Sequence, residues 1–257
     1  GANVMVGKNN GVAARLRRLN KLLLNFHCIC HKLALACVDT EKDVAYIKEV
    51  AYTLSHAWNF FENSPKRTST FVNIHSNLAE TTFSDKCKKY VAKKIKKTCA
   101  IRWLSFDHSV QSAYENYVTL LQTFQELQKD PTALGLYKKM KKPKFLGALY
   151  ILHSVLPTLS NLSKTFQTGA LNFSHVAPAI KYTLSKLSEI RHPVEKMEQD
   201  LKGRLHFLDI HVQLNEQDKN QIRILHTNYI NSLKENVDNR FHDRLNVLTC
   251  FHIFNPL

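Results

Sequence analysis

Glycine and proline are scarce in this sequence, seven of each in 257 residues. An all-β chain spends such residues on its many turns, so their scarcity points to helices. The six cysteines (Cys28, Cys30, Cys37, Cys87, Cys99 and Cys250) show no framework spacing. That excludes a small disulfide-stapled scaffold and favours a reducing, intracellular compartment. No apolar run approaches ~18 residues without a charge or strong polar interruption, so no membrane span is expected. A signal-peptide pattern is missing too: Gly1–Met5 has no basic region, and Arg15, Arg17 and Arg18 interrupt the next apolar stretch. The first carboxylate is Asp39, so residues 1–38 offer a hard cation no side-chain oxygen ligand of the usual kind. Against these absences, 44% hydrophobic residues suffice for a core and argue against disorder as the dominant state.

Positive charge is abundant and unevenly placed. The formal net charge is +15, from 36 Lys and Arg against 21 Asp and Glu. Three acid-free stretches carry 17 of the 36 basic residues. They are residues 8–21 (Lys8, Arg15, Arg17, Arg18, Lys21), 86–97 (Lys86, Lys88, Lys89, Lys93, Lys94, Lys96, Lys97) and 138–144 (Lys138, Lys139, Lys141, Lys142, Lys144). The remainder is close to neutral, so the whole excess sits in three short segments, as a polyanion footprint would require. Lysine dominates two of them, which suits phosphate contact better than base readout. Three solvated lysine faces are the plainer alternative.

Apolar spacing predicts a short helix over 8–21, with Val12, Leu16 and Leu19 on one side, then a strand-length run at Leu22–Phe26. A small-residue helix begins near Lys32. Asp39 or Thr40 is placed to cap a longer helix through Phe61, on which Trp58 falls in the apolar stripe. Asn63–Thr70 reads as a polar loop, followed by a helical stretch carrying the second lysine cluster. Ser105 is positioned as N-cap of the clearest helix, with Val110, Ala113, Tyr114, Tyr117, Leu120, Leu121, Phe124 and Leu127 at helical spacing until Asp130-Pro131. Phe145 to Phe166 (kinked at Pro157), Ala179 to Leu201 (interrupted near Pro193) and Asp218 to Phe241 complete a helical array.

The densest chemistry is His27-Cys28-Ile29-Cys30-His31, followed by Cys37. Thiolates and imidazoles are zinc ligands, yet no second arm of Cys-x2–4-Cys or His-x3–5-His spacing exists. A buried cysteine pair with a core histidine, and a polar site beside an active centre, are the other readings. Ser105, Asp107 and His108 lie within one helical turn and cannot form a nucleophile–base–carboxylate relay, so helix capping accounts for them.

Gly1-Ala2-Asn3-Val4-Met5-Val6-Gly7, Gly11-Val12-Ala13-Ala14 and His27-Cys28-Ile29-Cys30-His31-Lys32-Leu33-Ala34-Leu35-Ala36 together resemble the middle of the catalytic domain of hAT-superfamily transposases. The likeness is closer still to the zinc-finger and BED-finger proteins that vertebrates derived from such elements. Cys28 and His31 match the family's Cys-x-x-His motif, and Arg102-Trp103-Leu104-Ser105 its later Arg-Trp motif. Leu156–Gln167 has the look of a fourth, and Phe251–Pro256 of a weaker fifth. The resemblance implies an RNase H-like fold interrupted by a large helical insertion. It implies chemistry by three carboxylates holding two Mg²⁺. The family's Asp residues would fall well upstream of Gly1 and immediately before it, and its Glu on a helix after the insertion. The chain is therefore expected to be a fragment or a truncated domesticated copy that does not cut DNA by itself. In the family the Arg-Trp motif grips DNA near the cleavage site, where an indole stacks on an unstacked base; an aromatic anchor at a helix start is the plainer role for Trp103.

The expectation is thus a mainly α chain: residues 1–40 a partial RNase H-like segment with one or two short strands, residues 41–257 an all-helical insertion-type domain. Its expected function is nucleic-acid binding through phosphate contacts, with DNA as partner and the nucleus as location. The expected contact residues are Arg15, Arg18, Cys28, His31, Lys88, Lys89, Lys93, Lys94, Lys96, Lys97, Arg102 and Trp103. No catalytic residue, metal ligand or cofactor is expected within the chain. A helical scaffold for protein partners and a fragment of an active two-Mg transposase are the alternatives.

Overall fold

In the computed structural model, residues 3–23, 25, 28–82, 103–167, 173–203, 212–250 and 253 are described, and all regular structure among them is helical. The first two helices are short, α1 at Asn3–Val6 and α2 at Val12–Leu19. They pack on each other, and α2 buries no residue: Val12, Leu16 and Leu19 form an apolar side as expected, but it faces solvent. The anticipated strand is not found among the described residues. Leu22 lies in a turn, with its N–H donating to Asn20 Oδ1 (2.9 Å) and that of Leu23 to the Asn20 carbonyl (3.1 Å). Among the described residues this apolar run has no partner strand to ladder with, and Asn20 offers the backbone a turn instead. Leu24 and Phe26 lie outside the described residues.

Helix α3 (Ile29–Asp43) and α4 (Ala45–Glu62) are separated by a single residue, Val44, with φ −117° and ψ 72°. Asp39 and Thr40 therefore lie inside α3 rather than capping the next helix. Thr40 Oγ1 donates back to the Ala36 carbonyl (3.0 Å), and Asp39 pairs with Arg240. On α4 the expected stripe is buried, namely Ile47, Val50, Leu54, Ala57 and Phe61, with Trp58 partly buried against the core. The predicted loop at Asn63–Thr70 shrinks to Asn63 and Ser64, because α5 (Pro65–Thr82) starts at the proline. Proline at the first helical position loses no hydrogen bond and has its φ preset, so Ser-Pro here is a helix start.

Helix α6 (Trp103–Glu115) begins two residues before Ser105, which removes that serine from the cap position. A break at Asn116 leads into α7 (Tyr117–Glu126), so the five-turn periodic stretch is two helices. Its apolar positions are core nonetheless: Val110, Ala113, Tyr117, Leu120, Leu121 and Phe124 are at most 2% exposed. Asp130 caps α8 (Pro131–Met140) by accepting from the Thr132 N–H at 2.8 Å. Helix α9 (Pro143–Gln167) follows, with Pro157 inside it. A 3₁₀ turn at Phe173–His175 precedes α10 (Val176–Glu189); α11 (Val194–Lys202) and the long α12 (Glu216–Cys250) complete the array.

Helix α9 is the axis of the core, burying fifteen of its residues and touching α3, α4, α6, α8, α10, α11 and α12. By length and mean hydropathy it is apolar enough to cross a membrane, although His153 and Asn161 interrupt its apolar run; 72% of that window is buried among the other helices. Helix α12 lies antiparallel to α3, zipped by polar pairs at four-residue spacing. Asp43 Oδ2 accepts from Ser232 Oγ and Asn236 Nδ2 (both 2.7 Å), and Asp39 Oδ2 from Arg240 Nε (3.0 Å). A second cluster joins α4, α5 and α7 through Phe60, Phe61, Phe71 and Phe124, with ring centroids 5.3–5.6 Å apart.

Candidate nucleic-acid interface

The lysines of 138–144 lie where α8 ends and α9 begins. Lys138 and Lys139 occupy the last turn of α8, where positive charge complements the helix dipole. Lys142 and Lys144 flank the first residue of α9, adding like charge to the positive end of that helix. Among the described residues none of the five pairs with a carboxylate. Two lean on tyrosine rings instead: Lys144 Nζ sits 4.5 Å from the Tyr46 ring centroid, and Lys141 Nζ 5.2 Å from that of Tyr137, with 3.0 Å to its hydroxyl. Burial, with Glu49 nearby, pushes the Tyr46 hydroxyl up, so it stays protonated in the ordinary pH range.

Beside this cluster is a groove between α4 and α8, a cavity of about 180 Å³ lined by Tyr52, Thr53, His56, Thr132, Gly135, Leu136 and Lys139. Tyr52 is 57% exposed, and its ring lies 4.1 Å from that of His56 at 39°. Gly135 is part of the α8 wall of the groove, and a Cβ there would meet nothing within 4 Å. A glycine inside an exposed helical stretch costs about 1 kcal/mol relative to alanine, and no neighbouring protein atom requires it here.

At the other end of α9 the motif residues meet. Cys30 Sγ lies 3.9 Å from the Ser163 carbonyl, and Gln167 Nε2 donates to Ser163 Oγ at 3.0 Å. Helix α6 runs antiparallel to α9, since Ser160 Oγ donates to Asp107 (2.6 Å) while Tyr114 stacks on His153 at 3.9 Å. Trp103, one turn before Asp107, therefore begins α6 at the level of the last turns of α9. The Cys-x-x-His segment, the start of the Arg-Trp helix and Leu156–Gln167 thus converge on one end of the bundle, although they are far apart in sequence.

Individual residues fare differently. Cys28 and His31 are exposed at the start of α3, and Arg15 and Arg18 are exposed on α2, where Arg18 donates to the Asn9 carbonyl at 2.6 Å. Arg102 and Lys88, Lys89, Lys93, Lys94, Lys96 and Lys97 lie outside the described residues. Cys37 is fully buried in the core while Cys28 is exposed, so these two thiols do not share a centre. Cys28 and Cys30 do lie side by side, and burial followed by the neighbouring Cys28 raises the Cys30 thiol above its ordinary value. Burial, followed by Glu41, pushes the Cys37 thiol well above its ordinary value. Of the two histidines open to the core-histidine reading, His31 is exposed and His27 lies outside the described residues. Among the described residues no three His, Cys, Asp or Glu side chains are grouped to hold a metal ion. Asp107 is engaged by Ser160 rather than by a cap or His108. No protein-family model and no solved structure matches this chain.

Proposed function

We propose that this protein binds nucleic acid, holding mainly the phosphate backbone through its basic segments. The observation that carries the reading is the α8–α9 junction: five lysines in seven residues, none paired with a carboxylate among the described residues, beside the positive end of a helix. Concentrated, uncompensated positive charge releases condensed counterions when it meets a polyanion, and that release drives association. Exposed Arg15 and Arg18 on α2 supply a second contact. The ends of α9 are ~36 Å apart at 1.5 Å per residue, close to one turn of duplex, with the lysine junction at one end and the start of α3, bearing Cys28 and His31, at the other.

The reading extends to origin. The order of the four motifs supports a hAT-transposase-derived protein that is catalytically incomplete and acts in the nucleus on DNA. Residues 1–40 are then the remnant of an RNase H-like segment, residues 41–257 the helical insertion, and Mg²⁺ belongs only to intact relatives. The scarcity of acid supports incompleteness: Asp39, the first carboxylate, is already bound to Arg240. A protein-interaction scaffold is the second reading, favoured by Val4, Met5, Leu16, Leu19 and Leu22, all exposed on the α1–α2 segment and the turn after it.

Fluorescence anisotropy with a labelled 20-base-pair duplex at low salt tests the proposal. Replacing Lys138, Lys139, Lys141 and Lys142 together by Gln is expected to weaken binding at least tenfold and flatten its salt dependence by about one unit of slope per lysine in contact. Unchanged affinity and slope, with stoichiometric capture of a protein through α1–α2, would favour the scaffold.

A further inference from the structure

The phosphate contacts leave the aromatic groove beside them without a task. We infer that this groove between α4 and α8 takes one unpaired base of a single-stranded nucleic acid, stacked on Tyr52, while Lys138, Lys139 and Lys142 hold the flanking phosphates. The inference deepens the polyanion reading and rests on it. Three observations converge. Tyr52 presents an aromatic ring to solvent, 57% exposed and braced by His56. The cavity, about 180 Å³, is below the ~300–1,000 Å³ of pockets that enclose a whole drug-sized ligand, so it suits a planar ring inserted from the side. Gly135 lines the groove and leaves its backbone uncovered there, and close approach of a ligand to backbone is a standard reason for glycine inside a helix.

Charge selects the occupant. Lys139 lines the groove itself, and Lys138 and Lys142 are exposed beside it without a carboxylate partner among the described residues. An apolar slot rimmed by unpaired lysines complements a base attached to phosphates. A base inside a duplex is already stacked and paired, whereas an unpaired base offers its π-face at no such cost.

The test uses the full chain and three fluorescein-labelled probes of equal length: a twelve-nucleotide oligothymidine, the same strand without bases, and a duplex. Wild-type protein is expected to bind the oligothymidine about tenfold more tightly than the abasic strand, the size of effect expected for one stacked base. Tyr52→Ala and Gly135→Leu are each expected to abolish that preference while leaving abasic-strand affinity in place. Gly135→Leu fills open space and removes a helix-weakening glycine, so its thermal midpoint should rise; lost base preference in a more stable protein is not a folding defect. Equal affinity for base-bearing and abasic strands, unchanged in both variants, would overturn base stacking and leave the lysine contacts standing. Failure of all three probes to bind at low salt would overturn the polyanion reading and this inference with it.

Discussion

Asp130 shows how much one side chain settles in this fold. Its carboxylate accepts from the Thr132 N–H at 2.8 Å, starting α8, and pairs at 2.6 Å with Arg67. Arg67 in turn donates to the Phe60 carbonyl (3.2 Å) and lies 4.1 Å from the Phe60 ring centroid, fixing α5 against α4. The Thr132 N–H above all holds the Asp130 carboxyl below the usual carboxylate range against the opposing effect of burial, and the Arg67 charge adds to the lowering. A depressed carboxylate contributes stability that is complete above its unfolded pKa near 4 and is lost as pH falls through the folded value. Asp130→Ala should therefore lower unfolding free energy by about 1–2 kcal/mol at pH 7, the cost of a lost cap, and by less below pH 4. Urea titrations at the two pH values check this; a pH-independent loss would contradict it. In the sequence Asp130-Pro131 reads only as the end of the preceding helix; that it also starts α8, and that Asp130 pairs with Arg67, 63 residues earlier, emerges only in the folded chain.

Among the elements, α9 and α12 pack closely where Gly147 faces Ile222. A Cβ on Gly147 would lie 2.6 Å from Ile222 Cγ1 and 2.7 Å from its Cδ1, and Ile222 is fully buried. Gly147→Ala should thus destabilise the protein by about 1–3 kcal/mol, the usual cost of overpacking, despite alanine's better helix propensity. A gain in the urea midpoint would contradict that packing. Helical periodicity made α4, α6, α7, α9 and α12 readable, because their apolar positions recur every three or four residues and are buried in the structure. The breaks were not readable. Val44 and Asn116 are residues that helices tolerate, and their non-helical dihedrals accompany tertiary constraints: Asp43 held by Ser232 and Asn236, and the Tyr117 hydroxyl donating to the Met140 carbonyl at 2.8 Å. Ser64-Pro65 misled in the opposite direction, because the same dipeptide serves a loop or a helix start.

For the whole molecule, charge and burial are arranged on different principles. Inside, His75, His153 and His226 are all held below the ordinary histidine range, first by burial, with Lys196 adding to the effect at His153 and His192 at His226. Groups that stay neutral in the fold but protonate when unfolded withdraw stability as pH falls below about 6.5. The urea midpoint should accordingly drop between pH 7.5 and 6.0, and a level or rising midpoint would contradict this. Outside, the lysine clusters were legible as composition, but not their neighbourhood: Tyr52 and Gly135 are distant in sequence and share a groove only because α4 packs on α8. Likewise the motifs around Cys28, Trp103 and Ser163 share one end of α9 only in the folded chain. The central claim is that unpaired surface cations grip phosphates, and the salt dependence of duplex affinity tests it most directly. Log K should fall linearly with log salt concentration, by about 0.9 per phosphate neutralised and so by roughly 4 or more for five contacts. A slope near zero would contradict it.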